Sequence, residues 1–489
     1  MKKTIFFICI FVVLVLGIIV IIKNDKNKET LTTYTQTLVY NSQLHTLDGK
    51  EEICFYNYTD NALGEVWFHL YPNAFRQGAK ATVVSLANYE KAYPNGMSYG
   101  SIAIESVCSE ENYLDYEISG EDENILKIKV PEIYPDETFT LEIGFSCVLP
   151  NINHRFGYGE HTINLGNYYP IMCVYENGQF KDDLYNSNGD PFYSKVANYN
   201  VEITYDENLT LASGGSQTTV VKDNKKTSAI SAQNVRDFAM VFSDDYNIVK
   251  GMYDGVSIYY YYYQDDDADK ILDLTQEVLS FNKRYGSYPY DTLCIAKANF
   301  VHGGMEYPQL VLISDSLDDR DTYINVVVHE LCHQWWYGVV GNDEVNFGFL
   351  DEGLTDYTTA RFYDEYKKYN HSSQEIFNNA SKSYANFVKI YSDVKQDFST
   401  NMVRPLCEFD TENEYVYISY LKSMLMFASL DDLLGNKKMD ACLKYYFDCN
   451  KYLESTPDDL VEAFNKASGK NLTSFFNSWF DGEVIIDDF

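Results

Sequence analysis

Positive charge is scarce in this 489-residue chain: 38 lysines and arginines stand against 72 acids, a net charge of −34. That balance repels phosphate backbones and anionic headgroups, which excludes nucleic acid as a partner and removes any electrostatic pull of the body towards a membrane surface. Histidine is also scarce, with eight in all, so two in one short stretch are informative. A Cys-x-x-Cys pair and internal repeats are absent, which argues against a dense disulfide framework and a repeat architecture. Most of the ten cysteines sit among strand-like apolar residues (Cys54, Cys147, Cys294), as buried thiols do; Cys442 and Cys449 are spaced so that a bridge is conceivable.

What the chain has in quantity is apolar and aromatic material: 45 % hydrophobic residues, 22 % charged, and 44 tyrosines, five of them consecutive at Tyr259 to Tyr263. This is globular composition, and the length fits two or three domains. Residues 4–22, TIFFICIFVVLVLGIIVII, carry no charge. As a helix they span roughly 28 Å, enough to cross a bilayer core. A cleaved signal peptide would have a shorter apolar run ending in small residues, whereas this one ends in Ile-Ile-Lys-Asn-Asp. The expectation is a single-pass anchor at 4–22 contacting the lipid bilayer of the cell membrane, then a polar tether at 23–32. Lysines flank the run on both sides, so orientation rests on the three-residue head, which leaves the large body outside the cell.

From 33 to 249 short runs alternate with period two, as in Ile125 to Val130, Phe139 to Phe145 and Val201 to Tyr205; the pattern predicts an all-β domain. From 250 to 489 the period changes. A helix is expected from Ala268 to Tyr285, strand-like runs follow between Thr292 and Ile313, and helices dominate from Asp319 onward. Thr456-Pro457-Asp458-Asp459 reads as a helix start and Gly469 as its left-handed end.

Within that second half, VVVHELCHQWWYG puts His329 and His333 four apart with Glu330 between them. On a helix expected to run from about Asp319 to Gly341, both imidazoles share a face and can reach one metal, while Glu330 projects about 100° round the axis, where it can hold a water. The bland alternative is two histidines packed against tyrosines. Catalytic zinc commonly takes three protein ligands and leaves one position open. Glu352, on the first turn of the next helical pattern, has eighteen residues between it and His333 and fits as the third ligand of one Zn2+ per chain.

HELCH, the eighteen-residue gap and the Glu of Asp351-Glu352-Gly353 resemble the zinc signature of the aminopeptidase N family of gluzincin metallopeptidases. Gly303-Gly304-Met305-Glu306-Tyr307 is similar to the family's GxMEN motif, Tyr420-Leu421-Lys422-Ser423 to its Y-x-K-G segment, and Phe475 to Trp479 to the last helix of its catalytic domain. The resemblance implies a multidomain fold: an N-terminal β domain, then a thermolysin-like α/β, mainly helical, peptidase domain. It implies zinc on His329, His333 and Glu352, Glu330 as general base for a zinc-activated water, and Tyr420 as donor to the oxyanion. Tyr415 matches a further tyrosine of some relatives. Glu306 would hold the free α-amine of a peptide, with Gly303, Gly304 and Met305 forming the adjoining backbone, so that cleavage is counted from the N-terminus.

Three departures stand out. Tyr307 replaces the usual asparagine, which bears on the first substrate pocket. The family's later domains have no counterpart after 489, so an open cleft is expected. The family's second amine-binding residue has no clear match around Gly166 to Pro170. The rival readings are a thermolysin-like endopeptidase, hydrolysis of a non-peptide amide or epoxide, and a membrane-anchored binding module without activity.

Overall fold

The computed structural model describes residues 31–265, 267–395 and 398–482. The apolar segment 4–22 and most of the tether lie outside the described residues; among those described, no helix is long and apolar enough to cross a membrane.

The first half is built of sheets. Strand Thr33–Asn41 alternates buried and exposed residues along its length, as period-two side chains require. It pairs parallel with Ala197–Asp206 and antiparallel with Thr46–Tyr56, at the centre of an eight-stranded sheet. Two four-stranded sheets pack with it: Thr210–Ser213, Ala239–Ser243, Ile163–Gly166 and Phe156–Tyr158 form one, and Ile171–Met172, Leu63–His69, Ile125–Ile133 and Tyr116–Ser119 the other. Loops from this half, carrying Arg155 and Asp190, reach the cleft described below.

The second half opens with a five-stranded sheet in the order Asn247–Tyr253, Val256–Tyr262, Thr292–Ala298, Leu310–Ser314, Gly304–Met305. Its first strand straddles residue 249, so the change of sheet falls ahead of Asn247 rather than between 249 and 250. The three inner strands are parallel and the two edges antiparallel. This half holds eight helices of eight residues or more among the described residues, the first inserted between the strands Val256–Tyr262 and Thr292–Ala298: α1 (Ala268–Asn282), α2 (Arg320–Cys332), α3 (Phe349–Glu365), α4 (Ser373–Val394), α5 (Ser423–Leu434), α6 (Asn436–Asn450), α7 (Pro457–Ser468) and α8 (Thr473–Phe480). The start of α7 is the expected one. Thr456 and Asp459 form a reciprocal capping box and Gly469 closes the helix at φ 72°. Cys442, buried, and Cys449, exposed, both on α6, are not bridged.

Helix α2 starts where expected, with the Asp319 carboxylate accepting from Thr322 N at 2.8 Å, but it ends at Cys332 and not near Gly341. The residues after His333 are held by distant partners: Trp335 Nε1 donates to the Gly286 carbonyl at 2.8 Å and the Tyr337 hydroxyl to Asp237 at 2.7 Å, and Tyr337 takes a φ of 145° that no helix allows. The chain turns instead, and Gly338 N bonds back to the His333 carbonyl at 2.9 Å.

The halves are joined by buried polar contacts. Arg236, 1 % exposed, lies 2.7 Å from Glu454 and donates to the carbonyls of Ser194, Tyr337 and Leu453.

Candidate active site

Helix α2 delivers His329 from its last turn and His333 from its C-terminal end, and α3 packs against it with Glu352 in its first turn. The His333 Nε2 atom stands 3.0 Å from His329 Nε2 and 3.1 Å from Glu352 Oε2, and His329 Nε2 is 3.4 Å from the same oxygen. The opposite ring nitrogens are engaged elsewhere: His329 Nδ1 pairs with Asp356 at 2.9 Å and His333 Nδ1 with the Trp336 carbonyl at 3.0 Å. Holding Nδ1 against an acceptor fixes the ring and turns the Nε2 lone pair to the common point. Burial disfavours charge on these imidazoles, but Asp356 and Glu352 outweigh it and raise His329 well above its usual value, and Glu352 raises His333 above its own. The pocket therefore draws positive charge, and a metal taken up there would release protons. Two imidazole nitrogens and one carboxylate oxygen within reach of one another are the donor set of a catalytic zinc site. The residues fit the ion.

Glu330 is buried beside the ligands, and its Oε2 has no hydrogen-bond partner. Burial pushes its carboxyl up to about 7, against the pull of His329 and His333. The edge strand Gly304–Met305 runs alongside, and a Cβ at position 304 would overlap the Glu330 carboxylate; only glycine allows this approach. Strand alternation then separates the neighbours. Gly303, Gly304 and Glu306 line the cleft, whereas the Met305 side chain points into the core, 1 % exposed. Burial, Asp190 and Glu330 together hold the Glu306 carboxyl well above its usual range.

Tyr420 lies on a π-helical stretch, Val416–Lys422, that runs into α5. Its hydroxyl donates to Glu352 Oε1, and its ring lies nearly parallel to His329, 6.1 Å away. Tyr415 meets it edge-on at 5.7 Å and also lines the cleft. Burial raises the hydroxyl of Tyr420 well above its usual range, so at neutral pH it is a donor.

Tyr307 does not enter the cleft. It is fully buried, donates to Asn167 Oδ1 at 3.1 Å and fills the space over Gly166, where a Cβ would collide with its hydroxyl. The residue that departs from the motif thus packs between the two halves.

The cleft, about 260 Å³, has further walls that motif reading did not supply. Asp190 and Arg155, from the β-rich half, face each other at 2.7 Å. One oxygen each of Asp190, Glu306 and Glu352 lie within 4.8 Å of one another. Glu412, at the rim, is held by Ser85 at 2.7 Å and Asn88 at 3.1 Å. Asp356 was within reach of sequence reasoning, since it follows Glu352 by four residues on one helix face. Asp190 and Arg155 belong to no motif; folding alone brings them in.

Residues 264–479 match the peptidase family M1 domain. Among curated proteins, a leucine aminopeptidase 2 of Aspergillus fumigatus is 28 % identical over 224 residues, covering 44 % of this chain and 34 % of that protein. An aminopeptidase N of Lactobacillus delbrueckii subsp. lactis is 25 % identical over 233 residues, 45 % of this chain and 27 % of that protein. The chain thus matches about a third of the length of such relatives. Among solved structures, the M1 zinc metallopeptidase of Deinococcus radiodurans superposes with a TM-score of 0.63 at 13 % identity, over 94 % of this chain and 94 % of that one. A mutant of it bound to a Tyr-Ser-Ala substrate gives the same TM-score, again at 13 % identity, covering 94 % of this chain and 96 % of that one. At that identity the likeness is one of fold, and it extends through the β-rich half beyond the M1 domain.

Proposed function

We propose that this chain is a zinc aminopeptidase that removes the N-terminal residue of peptides. The observation that carries the reading is the closeness of two buried carboxylates, Glu306 and Asp190, to the metal ligand Glu352, all within 4.8 Å. Such a pair beside the reacting bond recognises an ammonium and leaves a buried charge unpaired when the peptide is acetylated or bound internally.

His329, His333 and Glu352 hold the zinc, which when bound supplies the positive charge that acidifies water and polarises a carbonyl. Glu330 takes a proton from the attacking water and passes it to the leaving amine nitrogen; its position next to the ligands and its raised affinity for protons support this role. Tyr420 donates its hydroxyl proton to the oxygen on which negative charge develops. Glu306 and Asp190 grip the α-ammonium, and Arg155 keeps Asp190 in place. Gly303 and Gly304 let the peptide backbone lie close to the edge strand. Met305 contributes backbone only, because its side chain is in the core. The apolar run 4–22 supports a single-pass anchor with the body outside the cell, testable by membrane fractionation and protease accessibility.

The experiment is cleavage of one peptide with its α-amine free or acetylated, each with and without a zinc chelator. Release of the first residue, abolished by chelation and by acetylation, is the expected result. Internal cleavage indifferent to acetylation makes the enzyme an endopeptidase and overturns the role of Glu306.

A further inference from the structure

The inner end of the cleft gathers four carboxylates around a single guanidinium. Glu306, Glu330 and Glu352 line it, as does Asp190, and among the described lining residues Arg155 is the one lysine or arginine. That guanidinium is already committed to Asp190 at 2.7 Å. Oε1 of Glu306, in a side chain 4 % exposed, has no donor at all. A buried acceptor facing a polar cavity without a partner is costly, so the site is built for something that is not part of the chain.

The spacing says what. Oxygens on one hard cation lie about 2.3–2.6 Å from it and so stand up to roughly 5 Å apart across it. The oxygens of Asp190, Glu306 and Glu352, all within 4.8 Å of one another, fit on a single ion. The set is anionic and all-oxygen, with no imidazole or thiolate, which suits Ca2+ or Mn2+ rather than a softer metal. We propose that this trio is a second cation site, separate from the zinc site but sharing Glu352, that takes a hard divalent ion and thereby excludes the substrate's ammonium. The proposal rests on the reading of Glu306 and Asp190 as the ammonium holders. Its consequence is regulatory: the free divalent cation concentration sets the apparent affinity for peptide N-termini.

The test uses the full zinc-loaded chain with Mn2+ as probe. Electron paramagnetic resonance counts bound Mn2+ in the wild type and in Asp190→Asn, with zinc content measured in both, and steady-state kinetics on a free-amine peptide are recorded across a Mn2+ titration. The expected result is one Mn2+ per wild-type chain with zinc retained, at least tenfold weaker in Asp190→Asn. KM should rise with Mn2+ at constant kcat in the wild type and be insensitive to Mn2+ in the variant. Mn2+ binding that does not respond to Asp190→Asn, or that proceeds by loss of zinc, overturns the site. Binding without any change in KM overturns the competition. Peptide cleavage with no Mn2+ added reports on the aminopeptidase reading by itself, so the two can fail separately.

Discussion

Asp356 accepts from His329 Nδ1 at 2.9 Å, one helical turn beyond Glu352. A partner of this kind fixes the ring and raises the basicity of the ligating nitrogen, and its loss commonly costs 10–100-fold in metal affinity. Asp356→Ala should therefore weaken zinc binding by about that factor, measured by competition against a chromophoric chelator. Activity should recover substantially when zinc is in excess. A variant with unchanged affinity would mean that the surrounding helices alone orient His329.

Glu330 and Tyr420 act, in the reading above, on the reaction and not on the metal. Glu330→Gln keeps the shape and removes the base, so kcat should fall by about 10²–10⁴-fold with one zinc still bound. Elemental analysis beside kinetics checks it. Wild-type kcat in that variant would transfer the proton-accepting role to another group.

For Tyr420→Phe the loss of one donor to the developing charge should cost about 10²–10³-fold in kcat while KM changes little. The ring remains to stack beside His329, but Glu352 Oε1 loses the Tyr420 hydroxyl as a donor, so zinc content is measured beside the kinetics and should stay at one per chain. A change confined to KM would instead make Tyr420 a binding residue.

Much of this geometry was legible in the sequence, for reasons that can be named. His329, Glu330, His333 and Glu352 lie on two consecutive helices, and helical spacing converts sequence distance into direction. The strand runs around Ile125, Phe139 and Val201 were legible because each buries one face of a sheet. The end of α2 was not, because the partners that hold Trp335 and Tyr337, Gly286 and Asp237, are far away in the chain. Asp190 was not legible either: it lies on a loop of the β-rich half, 116 positions before Glu306, and only the packing of the two halves brings the carboxylates together. The Tyr307 side chain shows the same limit, since its destination is set by Gly166 and Asn167, far away in the chain.

That packing depends on Arg236, whose guanidinium pairs with Glu454 at 2.7 Å and donates across the junction to the carbonyls of Tyr337 and Leu453 and, within its own half, to that of Ser194. Glu454 also pairs with Lys195, so Arg236→Met does not leave that carboxylate without a counter-charge; it removes one buried ion pair and the donors of three carbonyls, and should lower the unfolding free energy by about 3 kcal/mol, measured by denaturant titration. Glu454→Gln in the same background then takes the partner from Lys195 as well and should not restore stability.

Glu51 offers a pH-dependent test far from the cleft. It is fully buried in the eight-stranded sheet, Gln36 donates to its Oε2 at 2.6 Å, and its Oε1 has no partner. Burial raises its carboxyl well above the ordinary value, only partly offset by Gln36. Between the unfolded value near 4.5 and the higher folded value, the folded chain holds a proton that the unfolded chain has lost. Stability from this group is therefore complete below pH 4.5 and declines as pH rises towards the folded value. Glutamine mimics the protonated acid without titrating. Glu51→Gln should be more stable than the wild type at pH 8, with the advantage shrinking as the pH is lowered towards 5, read as the difference between denaturant unfolding curves at the two values. An advantage that grows on acidification would mean that the folded chain keeps Glu51 ionised, with a counter-charge holding it so.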